Sequence, residues 1–415
     1  MDISDKIFFS ANDVDITYAE LLACINSATD CKNILKTSST SQLETITSLI
    51  ISLANNVDIA LLHSDISSLD EHELSQLNNH KNQYPLKKFN TTQELIDAIG
   101  KSQSRITLFT SGTLNKPKSV THLASTLAHT ARVSQSHNQD VWGFAYNIAH
   151  MAGILVFFQF ILNTNTAIDI FSKQPYDVFD AIKKFSITHI SASATFLRRL
   201  SGSVVAETFP TLQRISLGGE RSDKKLLDTL QEKFPNAKFT NIYASTEFGS
   251  LLIACGEFFK IPINLRNLVK ITDYGSGPEL EVHASLLGKF TSSDSQEYYR
   301  TGDIIEWADT TKCDEFRFIG RVGGFFNVGG FRVNPEEIEY AILRMTNVAE
   351  VAVYPRANSV LGNIVCCDIV ANGEPPSVLE IRKFLAEHLE PHKIPRVINF
   401  VSSLKSTASG KINRK

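Results

Sequence analysis

Cysteine is scarce in this chain of 415 residues: the six (Cys24, Cys31, Cys255, Cys313, Cys366 and Cys367) are scattered and form no Cys-x-x-Cys pair, which excludes a disulfide scaffold. A reducing compartment is expected. Neither sign of charge dominates, with 41 Lys+Arg against 44 Asp+Glu and a net charge of −3. The surplus that drives binding to a phosphate backbone or to anionic lipid is missing, so nucleic acid is not expected as a main partner. Long apolar runs are also missing. The most apolar stretch, Met151–Leu162, is broken by Gln159 and falls short of the roughly 20 residues a bilayer span needs, so it reads as a buried helix. The N-terminal string MDISDKIFFSANDVD lacks the basic start and apolar core of an export signal, and a cytoplasmic location is expected. No repeat period and no long linker divides the chain. Gly 21 and Pro 13 exclude a collagen-like or low-complexity protein, and 43% hydrophobic with 20% charged residues is enough for a substantial core.

Local patterns alternate. Helical stretches at 17–28 and 40–54 precede the β-rich run at 57–63, and a second strand is expected at 105–109, running into a polar turn at Thr110 and then a helix from Ser125. Strand, polar turn and helix form the layout of a phosphate site. Further strands are expected at 188–191, 214–217 and 238–242, separated by amphipathic helices at 178–185 and 223–234, with turn clusters GGE at Gly218 and YASTE at Tyr243 ending two of them. The last ninety or so residues differ in texture. Asn334, Pro335, Glu336 and Glu337 supply an N-cap, a first-turn proline and first-turn acids for a helix to about Met345. Strands are expected at 348–354, 364–370 and 396–401, and Ser377 with Glu380 forms a capping box for a helix to about Leu389. The fold class is therefore α/β: a large N-terminal domain of layered α/β sheets, followed by a small mobile α+β domain.

TSGTLNKPK at 110–118 carries the strongest chemical signal, because hydroxyls, free N–H groups and a lysine in such a loop can hold phosphate oxygens. It does not fit the GxxxxGK[ST] loop, and taken alone it also fits a solvated Ser/Thr turn. Five further strings follow in order: GGE at 218–220, YASTE at 243–247, TGD at 301–303, GRVGGFFNVGGFRV at 320–333 and SGK at 409–411. In this ordered set the chain resembles the adenylate-forming superfamily, which includes acyl- and aryl-CoA synthetases, peptide-synthetase adenylation domains and beetle luciferases. The resemblance covers residue 105 to the end.

It implies a role for each matched position. Thr110, Ser111, Gly112, Thr113 and Lys118 would hold ATP phosphates; Gly218, Gly219 and Glu220 would form the adenine-side turn, and Tyr243 would offer adenine a flat face. Thr246 would touch phosphate and Glu247 would supply a carboxylate to Mg²⁺. Asp303 would accept hydrogen bonds from the ribose hydroxyls, with Arg321 and Arg332 near ribose and phosphate. Lys411, carried on the small domain, would stabilise charge as the acyl-adenylate forms. The division implied is 1–321 for ATP and acid binding and 322–415 for the lid, rotating about Gly323, where relatives carry Asp or Lys. Asn327 replaces the usual lysine of that segment, and the N-terminal region is shorter than in many relatives.

The acid pocket is expected along WGFAYNIAHMAG at 142–153, with Tyr146, His150, Met151 and Gly153, joined by Ser193, Ala194, Ala244 and Ser245. His150, set among apolar residues of a helix, equally suits a packed core histidine. No acidic residue follows Asp140 in this stretch to pair with a substrate ammonium, which favours a simple aryl or aliphatic acid over an amino acid. The resemblance implies activation of a carboxylic acid as acyl-AMP, then transfer to a thiol, CoA or a carrier-protein phosphopantetheine. The chain ends four residues after Lys411, so no fused carrier domain is expected. A degenerate homologue that binds nucleotide without turnover is the alternative from another class; the presence of Glu247, Asp303, Arg321 and Lys411 argues for turnover.

Overall fold

The computed structural model describes residues 3–36, 42–63, 85–110, 118–203, 207–275, 277–290, 296–406, 412 and 414. Six parallel strands make the centre of an eight-stranded sheet, in the order Lys238–Ser245, Arg214–Gly218, His189–Ala192, Val141–Phe144, Thr166–Asp169, Ile7–Ala11; Gly249–Ala254 and Val14–Thr17 close its edges antiparallel. Parallel neighbours need crossovers, which the helices Met151–Leu162, Pro175–Phe185, Ala194–Gly202 and Lys224–Lys233 supply. A five-stranded sheet runs Lys289–Phe290, Lys118–Leu123, Arg105–Thr110, Ile59–Leu62, Ile34–Lys36. A four-stranded antiparallel sheet joins Val269–Asp273, Pro278–His283, Tyr298–Trp307 and Phe316–Arg321.

The apolar helix Met151–Leu162 forms as the sequence predicts. It is apolar on nearly every side because it lies in the core between the first two sheets, where Phe160 meets Phe8, Phe9, Phe144 and Phe157. Each such ring taken out of water stabilises by roughly 1.5–3 kcal/mol. Gln159, the polar break, is used: its amide accepts from Arg132 N at 2.9 Å and donates to Arg132 O at 3.1 Å. Among the described residues no helix is long and apolar enough to cross a membrane.

From Val328 onward the chain closes on a core of its own, built from Val333, Ile338, Ile342, Val351, Val353, Ile369, Ile381 and Leu385. The helix Pro335–Leu343 starts at the expected N-cap, Asn334, whose side chain accepts from Glu336 N, and the Ser377/Glu380 capping box opens the helix Val378–Ala386. Strands Val348–Asn358, Gly362–Ala371 and Val397–Phe400 complete the sheet.

Three local expectations need correction. The chain after Thr110 does not enter a helix directly: strand Lys118–Leu123 returns antiparallel to Arg105–Thr110, so residues 110 and 118 face each other across a hairpin, and the helix that follows, Ala124–Ala128, is a short one. Tyr243, Ala244 and Ser245 belong to the strand rather than to a turn, because antiparallel pairing with Gly249–Ala254 extends it to Ser245. His150 is not inside the helix but at its N-cap, with extended backbone and no side-chain cap.

Candidate functional site

Register brings the first cluster together. Asp303 and Arg321 are direct partners on adjacent antiparallel strands, and Arg321 Nε lies 2.9 Å from Asp303 Oδ1. Tyr243, arriving from the eight-stranded sheet, donates its hydroxyl to Asp303 Oδ2 at 2.6 Å. One face of its ring is stacked on Phe318 at 4.1 Å and 17°. Burial raises the Asp303 carboxyl pKa, against the pull of Arg321 and the Tyr243 hydroxyl. Burial also pushes the Tyr243 hydroxyl up, with Asp303 adding to it. Arg321 has the reverse balance: burial disfavours its charge, the carboxylates of Asp303 and Glu247 outweigh burial, and its pKa rises. Tyr299, which sequence reasoning missed, lies in electrostatic reach of Glu247, Arg321 and Asp303, and burial pushes its hydroxyl to about 12.

Thr246 and Glu247 form the turn after this strand, and both of their carbonyls are pinned. Gly288 N donates to Glu247 O at 2.8 Å, and His122 Nε2 lies 2.7 Å from Thr246 O. A carbonyl only accepts, so Nε2 carries the proton. A Cβ at Gly288 would lie 2.6 Å from the His122 ring, so only glycine allows this approach. His122 comes from the strand Lys118–Leu123, a link between sheets that no spacing in the sequence reveals. Burial lowers its pKa, against the Thr246 carbonyl and the Glu247 charge.

The second cluster sits at the carboxyl ends of the parallel strands, the usual place for a ligand in such sheets. Gly218 ends its strand with its carbonyl 3.5 Å from the Tyr146 hydroxyl, whose pKa burial raises. Glu220 accepts from Thr195 N at 2.8 Å and from Thr195 Oγ1 at 3.0 Å, which ties the 218–220 turn to the helix Ala194–Gly202 that Ser193 caps. Tyr146, Ser193, Ala194, Gly218 and Glu220 are thus brought together. Met151 is buried, and a Cβ at Gly153 would fall 2.3 Å from Asn147 O, so the chain entering the helix needs glycine there. His150 lies on His63 at 4.7 Å and 33°; His63 was not expected, because it follows a strand in the other sheet.

Other expected residues lie apart or outside. Ser111, Gly112, Thr113 and Lys411 fall outside the described residues; Thr110 is half-buried and Lys118 exposed. Arg332 is not joined to Asp303: its guanidinium donates to Val322 O at 2.9 Å and lies 4.3 Å from the Phe325 ring, on the hairpin Phe326–Val328 and Phe331–Val333. Gly323 lies in the turn Val322–Gly324, with open space where a Cβ would point. Arg414 is held by Glu339 at 2.6 Å and Glu336 at 3.4 Å, and it feels the charge of Glu220. A cavity of about 400 Å³ lined by Ile16, Leu21, Cys24, Leu43 and Thr47 contains none of these residues.

The donor chemistry fits a magnesium nucleotide. Glu247 is half-buried and makes no ion pair among the described residues, and a carboxylate is the hard oxygen donor that Mg²⁺ takes. Asp303 presents a half-buried, oriented carboxylate suited to hydroxyl groups, beside an aromatic ring and a guanidinium.

Comparison with known proteins identifies the family. Residues 5–274 match the model of the AMP-binding enzyme family, and residues 337–411 match that of the AMP-binding enzyme C-terminal domain. The chain is 24% identical over 345 residues to 4-coumarate–CoA ligase 2 of Nicotiana tabacum, a match that takes in 74% of this chain and 63% of that one. It is 26% identical over 341 residues to 2-succinylbenzoate–CoA ligase of Listeria monocytogenes, covering 77% of this chain and 71% of the relative. Tyrocidine synthase 3 of Brevibacillus parabrevis matches at 24% over 350 residues, 74% of this chain and 5% of that protein. In fold the chain is similar to o-succinylbenzoate CoA synthetase from Bacillus subtilis in complex with its acyl-adenylate intermediate, with TM-score 0.68 and 19% identity, covering 99% of this chain and 94% of the other. The chain belongs to the AMP-binding enzyme family, within the adenylate-forming superfamily.

Proposed function

We propose that this protein activates a carboxylic acid, aryl or aliphatic, as an acyl-adenylate and passes the acyl group to a thiol, most simply that of CoA. The observation that carries the reading is Asp303, held between the Tyr243 hydroxyl and Arg321 beside the Thr246–Glu247 turn. In this reading a substrate carboxylate oxygen attacks the α-phosphorus of ATP, the bond to the bridging oxygen breaks and pyrophosphate leaves; the thiol sulfur then attacks the acyl carbon and AMP leaves. Asp303 orients the ribose and Tyr243 presents its ring to adenine. Thr246 touches phosphate and Glu247 holds Mg²⁺, which offsets phosphate charge when bound. The acid lies against Tyr146, His150, Met151, Gly153, Ser193, Ala194, Ala244 and Ser245. Lys411 brings its ammonium to the developing charge, and residues 322–415 turn about Gly323 between the two steps. The names of the tobacco and Listeria relatives, both CoA ligases, support CoA as the acceptor. The similarity to tyrocidine synthase 3 keeps a carrier-protein phosphopantetheine as the second reading.

Acid-dependent ATP–pyrophosphate exchange over a panel of aryl, short, medium and long acids tests the first step. Exchange with at least one acid is expected, and Lys411→Ala should slow it about 10²- to 10³-fold, as loss of one charge-stabilising donor does. No exchange with any acid overturns the reading in favour of nucleotide binding without turnover. Thioester formation with free CoA against a panel of carrier proteins separates the acceptors.

A further inference from the structure

Away from these residues, at the amino ends of the central strands, three metal-ligating side chains converge from separate parts of the chain. His137 ends the turn Gln135–His137, Asp140 directly precedes strand Val141–Phe144, and His189 opens strand His189–Ala192. Parallel pairing of Trp142 with His189 sets the last two side by side. His137 Nδ1 lies 2.9 Å from Asp140 Oδ2, and His189 Nε2 lies 3.5 Å from the same oxygen. One ligand atom from each of the three falls within 4.8 Å of the others. Ligands held at about 2.0–2.2 Å around a tetrahedral ion stand roughly 3.3–3.5 Å apart, so the two separations from the Asp140 oxygen need shifts of only about 0.5 Å or less, while the two imidazoles, within 4.8 Å, would draw together by up to about 1.4 Å through side-chain rotation.

We propose that His137, Asp140 and His189 form a binding site for a divalent transition-metal ion, Zn²⁺ by its two-imidazole, one-carboxylate donor set. The ligands are braced from behind, as metal ligands are. His189 Nδ1 is 2.8 Å from Thr188 Oγ1, which accepts from Val141 N at 2.9 Å. Asn165 Nδ2 donates to His137 O at 2.6 Å, and Trp142 covers the His189 ring at 4.9 Å. Asp140 and His189 are buried and His137 half-buried, which leaves one side open for a water as fourth ligand. Lys6, in reach of Asp140, and Arg214, in reach of His189, weaken the field and limit affinity.

The site is separate from the proposed nucleotide site. Arg214 is the register partner of His189, and its strand runs on to Gly218, four steps of about 3.3 Å each, or roughly 13 Å away. Oxygen-seeking Mg²⁺ and imidazole-seeking Zn²⁺ would therefore sort to opposite ends of one sheet. The ion would tie the 135–140 segment to two central strands, a structural role.

Calorimetric titration of the chelator-stripped, nucleotide-free protein with Zn²⁺ alone tests the site. One equivalent is expected to bind with micromolar or tighter affinity, weakened about ten-fold or more by His137→Ala and by Asp140→Asn. Co²⁺ should quench Trp142 fluorescence in the parent protein and not in His137→Ala. His137 lies on a half-exposed turn, so this variant keeps the test open if Asp140→Asn fails to fold. Absence of one-to-one binding overturns the site. So does binding that His137→Ala leaves unchanged, which would place the ion elsewhere, for instance at the exposed Cys24, Cys255 or Cys313.

Discussion

His122 Nε2 lies 2.7 Å from the carbonyl oxygen of Thr246, so the strand after the proposed phosphate loop holds the turn that carries Glu247. His122→Ala would leave that half-buried carbonyl without its donor and open a cavity beside Gly288, at a cost of about 1–3 kcal/mol. His122→Gln, which can still donate, should recover part of the loss. Urea denaturation reads the stability. Pyrophosphate exchange at varied Mg²⁺ reads the position of Glu247, through a raised Mg²⁺ requirement that loss of stability alone would not produce.

Asp303 anchors the Tyr243–Arg321 cluster, and its two partners should differ in weight. Tyr243→Phe removes one hydrogen bond to a charged group, worth about 1.5–3 kcal/mol, and keeps the ring stacked on Phe318. Asp303→Asn removes the charge that Arg321 faces as well. Steady-state kinetics should show a higher KM for ATP in both variants, with the larger drop in kcat/KM in Asp303→Asn.

Arg199 and Glu350 join the helix Ala194–Gly202 to strand Val348–Asn358 by two contacts, Nε to Oε1 at 2.5 Å and Nη2 to Oε2 at 3.1 Å. Glu350 is buried while Arg199 is half-exposed, so losing the arginine leaves a buried carboxylate without its ion-pair partner, at a cost of roughly 1–3 kcal/mol. Arg199→Ala should therefore weaken this arrangement of residues 322–415 against 1–321 and slow adenylate formation more than the thiol step. The swap of Arg199→Glu with Glu350→Arg should restore part of the rate, and a double-mutant cycle on the exchange rate would measure the coupling.

Asp169 supplies the pH prediction. Burial raises its carboxyl from the usual range to about 6, opposed by hydrogen bonds from Phe171 N and Gln42 Nε2. A raised acid binds its proton more tightly folded than unfolded, so its burden is full above about pH 6 and is relieved as pH falls toward the unfolded value near 4. Asp169→Asn should thus stabilise the protein at pH 7, by on the order of 2 kcal/mol, with the gain vanishing near pH 4. Denaturant midpoints across that range would show it, and a variant less stable at pH 7 than the parent would contradict it.

The elements with strong local signals were legible in the sequence. The apolar run Met151–Leu162, the Asn334–Pro335 start and the Ser377/Glu380 capping box formed where residue pattern and cap chemistry placed them, because those forces act within a few residues. The ordered motifs pointed to the family for the same reason: each is a short string with its own backbone demand. Sheet pairing was not legible. The return strand after residue 118 and the extension of the Tyr243 strand depend on partners elsewhere in the chain, Arg105–Thr110 and Gly249–Ala254. His122 against Thr246, His63 on His150, and the convergence of His137, Asp140 and His189 join residues up to 124 positions apart. The sequence by itself determined which residues could form helices and caps, and its ordered motifs pointed to the family. Tertiary structure alone decided which side chains share a site, because strand register and sheet packing are settled by contacts between distant segments, where no local period carries the information.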